Sequence, residues 1–436
     1  MEDETREVQG EFWVPGRPNR KVPGILTISS DGGAHLALIG TFEDGDDMLK
    51  GRLGDYRRII GMDPKNYYTL DGCIRTSHSI SVGTMLGRQG FKVNQVITGA
   101  VFEQDEEVSV DRLRVSIANL LNWTKISGIT EEWFLEEGRR GVSRIIITAE
   151  PQESLHIRTD FGGVRIDHVL HKTQRAMRGP ELTQDLHVVF EFDDVISASD
   201  ALQYVSDLQN LVSIATFIPS PFKKVEFSHP ALIEDLGEGG ERRAWPSISA
   251  EWNIQGRESE KVLYEFDLMF TFEQFGEAQG LANWFKVADE HRDLLGRVMA
   301  TRYVQKPYAR DLLLNRVVPL EAFHKRWSGV TSRVDLVDRL KDLADYAGEP
   351  FEKLLGSSEA ISRWCAAAKD MRHDFAHHLG QYSGQHALEI LHVSNAAYWL
   401  FIICLLRKCS ASQALFENLT SCRQFRHHSS QIASVI

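Results

Sequence analysis

The residue types best suited to chemistry sit together in one stretch near the end of the chain, Met371-Arg372-His373-Asp374-Phe375-Ala376-His377-His378. An imidazole can take or give a proton near neutral pH, and a guanidinium can hold a phosphate through two parallel hydrogen bonds as charge builds on it. Together they are what cleavage of RNA without a metal asks for. Arg372 and His377 are the candidate catalytic pair, with His373 and Asp374 as supporting groups that position or tune them. The bare spacing of Arg and His five positions apart occurs twice, at Arg372/His377 and Arg423/His428, about as often as chance placement gives. Context separates the two. The first lies in a strongly periodic helical stretch, the second in a Ser/His/Gln-rich tail.

Other readings compete at these residues. His373 and His377, at i and i+4, imitate the His-Glu-x-x-His zinc motif and suggest a metal-dependent hydrolase. Against it, Asp374 is one methylene shorter than the glutamate that would act as base. No third ligand is fixed by the sequence, with Glu389, His386 and His392 only nearby. A surface helix C-terminus also favours histidine through its dipole, which accounts for His377-His378 without chemistry. A non-catalytic module that binds a nucleotide or a partner protein, with Arg372 as anion anchor, is a further alternative. Elsewhere, Lys223-Lys224 and Arg242-Arg243 read as solvated loops, and Trp13, Tyr67, Tyr68, Trp123 and Trp133 as core rather than a ligand platform. Gly237-Glu238-Gly239-Gly240 lacks the lysine and helix of a phosphate loop, and no Gly-x-Ser-x-Gly elbow is present.

The elements that must hold the candidate pair follow from periodicity. Ile361, Trp364, Cys365, Ala368, Met371 and Phe375 form the apolar stripe of a helix beginning near Ser358. Arg372 falls on the edge of that stripe, and His377 lies nearly opposite it. A half-buried arginine is costly unless something anionic meets it. From about Glu277 onward the pattern is helical throughout, predicting helices near 277–303, 308–327, 333–354, 358–378 and 384–408, with a weaker one at 411–425. Gly329, Gly348, Gly356 and Ser383-Gly384 punctuate them. Before that point short apolar alternations predict strands, among them Gly24–Ile28, His35–Ile39, Leu113–Ile117, Arg144–Ile147, Leu155–Ile157, Leu186–Phe192 and Tyr264–Phe272. One helix, over Ser199–Ala215 with Ser199 or Asp200 as cap, interrupts them. The expected fold is therefore α+β and multidomain. A β-rich, sandwich- or barrel-like region over 1–275, divided into subdomains of about 1–150 and 151–275, precedes an all-α bundle over 276–436.

The chain has 436 residues and a formal net charge of -12, with 42% hydrophobic and 25% charged residues. That composition excludes disorder, collagen-like repetition and a disulfide-dense scaffold. The charge is unevenly placed: from Leu281 to the end 20 Lys and Arg face 16 Asp and Glu, while the first 280 residues carry 29 against 45. The front is acidic and the helical end mildly basic. Five scattered cysteines, Cys73, Cys365, Cys404, Cys409 and Cys422, indicate neither a disulfide framework nor a thiolate zinc site, and a reducing cytoplasm is the simplest compartment. The opening Met1-Glu2-Asp3-Glu4 is the reverse of a signal-peptide start. The apolar run Ala396–Leu406 is too short to span a bilayer, which needs ~20 residues, so a core helix or a subunit contact is expected and no membrane.

Arg372-His373-Asp374-Phe375-Ala376-His377 in an all-α end resembles the HEPN superfamily, whose motif is Arg, a polar residue, three further residues and His. The front half looks like the N-terminal domain of ApeA-type anti-phage HEPN proteins. It carries Glu11-Phe12-Trp13-Val14-Pro15, Val22-Pro23-Gly24-Ile25-Leu26, Ile59-Ile60-Gly61 through Tyr68-Thr69-Leu70, and Asn122-Trp123-Thr124. The resemblance implies a metal-independent endoribonuclease of phage defence that uses no cofactor and cleaves RNA, for example a tRNA anticodon loop. The β-rich region would restrain the nuclease or sense a phage-derived trigger. It also implies a homodimer, because two such domains pair so that both motifs face one cleft.

Overall fold

The computed structural model describes residues 5–29, 32–43, 47, 54–81, 86–104, 106–135, 141–175, 179–235, 240–250, 263–304, 306–330, 332–377 and 387–436. His378, His386, Ser383-Gly384 and Gly237–Gly239 lie outside them.

The front of the chain is built of strands and the rest of helices, as the change of period predicts. The strands are Arg6–Trp13 (β1), Val22–Ile28 (β2), Ala34–Ile39 (β3), Arg58–Met62 (β4), Tyr67–Asp71 (β5), Ile74–Ser81 (β6), Leu86–Val93 (β7) and Gln95–Thr98 (β8). Then follow Ser109–Ile117 (β9), Ile129–Leu135 (β10), Val142–Ala149 (β11), Leu155–Thr159 (β12), Gly162–Arg175 (β13) and Gly179–Ser197 (β14). Phe222–Ser228 (β15), Ile233–Asp235 (β16), Glu241–Arg243 (β17) and Ser247–Ala250 (β18) complete the set. Fourteen of these join one antiparallel sheet in the order β12-β13-β14-β9-β15-β18-β8-β5-β4-β1-β2-β3-β7-β6, while β10–β11 and β16–β17 are separate two-stranded ribbons. Alternation does what it should in β3, where Ala34, Leu36 and Leu38 are buried between exposed neighbours.

Two apolar cores underlie the sheet. Val8, Phe12, Leu26, Leu36, Ile59, Tyr68 and Phe91 belong to one, confined to β1–β8. The other starts at the remaining strands and runs without interruption into the helices: Leu113, Val188 and Phe190 share it with Leu281, Trp284, Trp364 and Val393. The β-rich front and the bundle are thus packed as one body at this seam. Leu120–Thr124 (α1) and Ala198–Thr216 (α2) lie on the front side. The α2 cap is Ser197, whose hydroxyl accepts from Asp200 N at 3.0 Å, rather than Ser199 or Asp200.

Tyr264–Phe272 is not a strand. Glu265–Asp267 make a single tight 3-10 turn, Leu268, Met269 and Phe270 are buried, and a short helix Phe272–Phe275 (α3) follows, capped by Thr271. These apolar residues alternate toward no neighbouring strand. They fill the seam instead, with Trp123 edge-on to Phe270 and Phe272 and Met269 N donating to Ala215 O at 2.7 Å.

Past the seam run Glu277–Tyr303 (α4), Ala309–Ser328 (α5), Leu336–Ala347 (α6), Glu349–Leu355 (α7), Ser358–His377 (α8), Ala387–Lys408 (α9), Gln413–Ser421 (α10) and Arg423–Ala433 (α11). The predicted 333–354 helix is two, broken at Gly348, whose φ of 64° and ψ of -144° no helix accommodates. The predicted 411–425 helix is also two, separated by extended Cys422. The 22-residue α9 is apolar and long enough to cross a membrane by those measures alone, but Tyr398–Leu406 are buried inside the bundle. That run is the core of this chain and not a subunit contact. All five cysteines are buried free thiols.

Candidate active site

Helix α8 carries every residue of the Arg/His cluster that the structure describes. Ser357 Oγ accepts from Ala360 N at 3.2 Å at its start, and Trp364 anchors its middle by donating Nε1–H to Val393 O of α9 at 3.1 Å. The buried residues are Ala360, Trp364, Cys365, Ala368, Met371, Asp374 and Phe375. The expected stripe is present, with Asp374 added to it. That aspartate is 7% exposed, and its Oδ1 has no hydrogen-bond partner among the described residues. An unpaired buried carboxylate oxygen costs about 1–3 kcal/mol, and Asp111 Oδ1 in the strand-rich front is another of the same kind.

Arg372 is half-buried at the edge of the stripe, as its position predicts. Its Nη2 meets Glu321 Oε2 of α5 at 3.3 Å, while its Nε is buried with no partner among the described residues. One side of the guanidinium fork is therefore occupied by one carboxylate oxygen and otherwise unsatisfied. Arg310, also on α5, brings its guanidinium carbon to 5.3 Å from the Phe375 ring centre, adding a second cation to this end of the helix. His373 and His377 are exposed, their ring centres 4.9 Å apart.

The helix remains regular through His377. At ~100° per residue, Arg372 and His377 then point about 140° apart. The chain thus brings the two histidines together and places the arginine on another face. Glu321 is the member of this site that the sequence does not disclose. It lies fifty-one positions upstream on another helix, and nothing in its neighbours marks it.

The rival constellations fare differently. His428, of the second Arg/His spacing, accepts from Trp399 Nε1 at 3.0 Å through Nδ1, and burial pushes its pKa down to about 4, so it is a neutral structural group. Among the described residues no group of three or more His, Cys, Asp or Glu side chains is arranged to hold a metal ion. Of the third-ligand candidates, His392 is buried with Nδ1 unpaired among the described residues, and His386 lies outside them. Arg242 pairs with Glu234 at 2.6 Å and Arg243 with Asp111, which makes that basic pair structural. Trp13, Tyr68 and Trp123 are core, whereas Tyr67 and Trp133 are exposed on separate elements.

A family model described as ApeA N-terminal domain 1 matches residues 7–284, well over half of the chain. The chain belongs to the ApeA N-terminal domain 1 family. Its members are anti-phage defence proteins, and this ApeA-family chain is one by membership. The match runs through the seam into α4, as far as Trp284, whose Nε1 donates to Asp207 O of α2 at 2.9 Å. Where the family match ends, the shared core has already begun. No curated protein and no solved structure matches the chain.

Proposed function

We propose that the helical end is a HEPN-type, metal-independent endoribonuclease and that this ApeA-family chain uses it in phage defence. The ribose 2′-oxygen attacks the adjacent phosphorus, the P–O5′ bond breaks, and the products are a 2′,3′-cyclic phosphate and a 5′-hydroxyl. His377 takes the 2′-OH proton or supplies the proton that the departing 5′-oxygen needs. Arg372 stabilises the charge on the phosphorane-like transition state. His373 shares the exposed face with His377, and Asp374 supports the turn between them.

The observation that carries this reading is the unfinished state of the cluster. Among the described residues, Arg372 Nε and Asp374 Oδ1 are buried without partners beside two exposed imidazoles. The divergence of Arg372 and His377 by about 140° on a straight helix favours a site completed by a second copy, each chain supplying what the other cannot aim. A homodimer with both α8 ends facing one cleft is thus part of the proposal. The strand-rich front then restrains the nuclease or receives a phage-derived trigger, and the continuous core at the seam gives it a mechanical route to the bundle. A substrate with a flexible ribose, such as a tRNA anticodon loop, suits in-line attack better than a duplex.

The engagement of Arg372 by Glu321 favours one other reading, in which Arg372 anchors an anionic ligand without turnover. Infection separates the two. Cells expressing the wild type should survive phage challenge with newly formed 5′-hydroxyl RNA ends, and cells expressing His377→Ala should show neither. Equal protection by both would remove the nuclease reading and leave the anchor.

A further inference from the structure

A second basic surface lies where α11 meets the turn that leads into the bundle. A cavity of about 610 Å³ is lined there by Asp267, Arg423, Gln424, Arg426 and His427. Neither Arg423 nor Arg426 takes part in an ion pair with any described residue. Helix α11 has no acidic residue in its first turn, so both guanidiniums sit near the positive end of the helix dipole, where an anion is favoured and a cation is not. Gln424 donates Nε2–H to Asp267 O at 3.4 Å and leaves Oε1 buried without a partner among the described residues.

The other side of the cavity belongs to the turn that the sequence pattern suggests is a strand. Tyr264 N donates to Asp267 Oδ2 at 3.2 Å, which folds the turn. It holds the Tyr264 and Phe266 rings parallel, 5.4 Å between centres and 7° between planes, at 58% and 74% exposure. Their neighbours Leu268, Met269 and Phe270 are all buried. Two large rings are therefore kept in solvent on the turn whose Asp267 lines the cavity, and the two arginines across from that turn have no ion-pair partner among the described residues.

Stacked exposed rings on one wall and exposed arginines on the other are what a single-stranded nucleic acid needs, a π-face for a base and fixed charge for its backbone. We propose that this surface is an exosite for single-stranded RNA, with a base on the Tyr264–Phe266 stack and successive phosphates on Arg423 and Arg426. The arginines are at i and i+3, hence on one face of α11. His427 and the Gln424 amide line the same cavity and add polar contacts. The inference rests on RNA being the substrate. The exosite holds a stretch of that RNA away from the bond that is cut.

The test is fluorescence anisotropy of a labelled single-stranded RNA decamer on the full-length His377→Ala protein, which does not consume it. Phe266→Ala should weaken binding about fivefold or more without altering its salt dependence. The double change Arg423→Gln, Arg426→Gln should weaken it and lower the slope of log K against log salt by about 1.4, for two phosphate contacts at ~0.7 each. Both sets of side chains are exposed, and unchanged thermal unfolding would establish that the fold is intact. Affinity within twofold of the parent in both variants overturns the exosite. So does ATP binding as tightly as the decamer with loss in the same variants, which would make the cavity a nucleotide pocket. Arg372→Ala keeps the two claims apart: insensitivity to it alone counts against the active-site reading, and insensitivity to the α11 and Phe266 changes alone counts against the exosite.

Discussion

Asp207 and Arg292 tie the front to the bundle, and breaking that pair should have a pH-dependent consequence. Asp207 on α2 is 1% exposed, and its Oδ2 accepts from Arg292 Nη2 at 2.9 Å and Nε at 3.1 Å. Burial pushes the Asp207 carboxyl up from 3.8 to about 6, while the Arg292 hydrogen bond and charge pull it down. A folded value above the unfolded one means that protonation favours the folded state. The contribution of Asp207 to stability is therefore fully present below about pH 4 and falls as pH rises to about 6. In Arg292→Met the carboxylate loses its only strong counterweight and must either ionise unpaired or stay protonated. At pH 8 the loss should reach about 3–5 kcal/mol, as for removal of one partner of a buried pair. At pH 5 the carboxyl is mostly protonated in both proteins, and only hydrogen bonding is lost, about 1–2 kcal/mol. Urea unfolding followed by the emission of the nine tryptophans measures the loss, and one of them, Trp284, donates to Asp207 O. Asp207→Asn in the Arg292→Met background should recover most of the pH 8 loss. Equal losses at pH 5 and pH 8, or under 1 kcal/mol at pH 8, would refute the argument.

Three further outcomes follow from particular contacts. Glu321→Gln removes the counter-ion at 3.3 Å from Arg372 and should tighten binding of a non-cleavable 2′-deoxy oligonucleotide about two- to fivefold, since a half-exposed pair is worth only ~0.2–1 kcal/mol; weaker binding would instead make Glu321 a support for Arg372. Gly348→Ala forces a β-carbon onto a φ of 64°, 3.2 Å from Arg407 Nη2, and should lower stability by about 1–3 kcal/mol in thermal unfolding. Burial holds His428 at about 4, so the unfolded chain takes up its proton first and stability falls as pH drops from about 6.5 to 4. His428→Asn, which keeps an acceptor for Trp399, should flatten that part of an acid-unfolding profile, and an unaltered profile would count against it.

The change from strands to helices was legible because period-two and period-3.6 patterns differ over long stretches, and the stripe of α8 could be drawn residue by residue. Boundaries set by one backbone conformation were less so. Gly348 reads as punctuation within a helix until its φ and ψ show that it divides two. The Tyr264–Phe272 alternation satisfies a strand template, yet Leu268, Met269, Phe270 and Phe272 are buried in the seam beside Trp123 while Tyr264 and Phe266 face solvent, and alternation alone cannot distinguish a sheet face from a seam. Ile145 and Ile147 mark a strand correctly but face solvent, 46% and 52% exposed, since the β10–β11 ribbon joins no other sheet. In the site, sequence reasoning reached the residues that share α8 and missed Glu321, because contacts across fifty residues leave no local trace. The segment Arg423–Ala433 read as a Ser/His/Gln-rich tail rather than a helix, and its cavity required Asp267 and the turn from the other side of the seam.

The most direct measurement is incubation of the purified full-length chain with total RNA in the presence of EDTA, with the new termini identified chemically. Cleavage should persist with chelator, leave 2′,3′-cyclic phosphate and 5′-hydroxyl ends, and fall about 10²- to 10⁴-fold in His377→Ala with a comparable loss in Arg372→Ala. Cleavage that EDTA abolishes, or that His377→Ala and Arg372→Ala retain, would contradict the proposal.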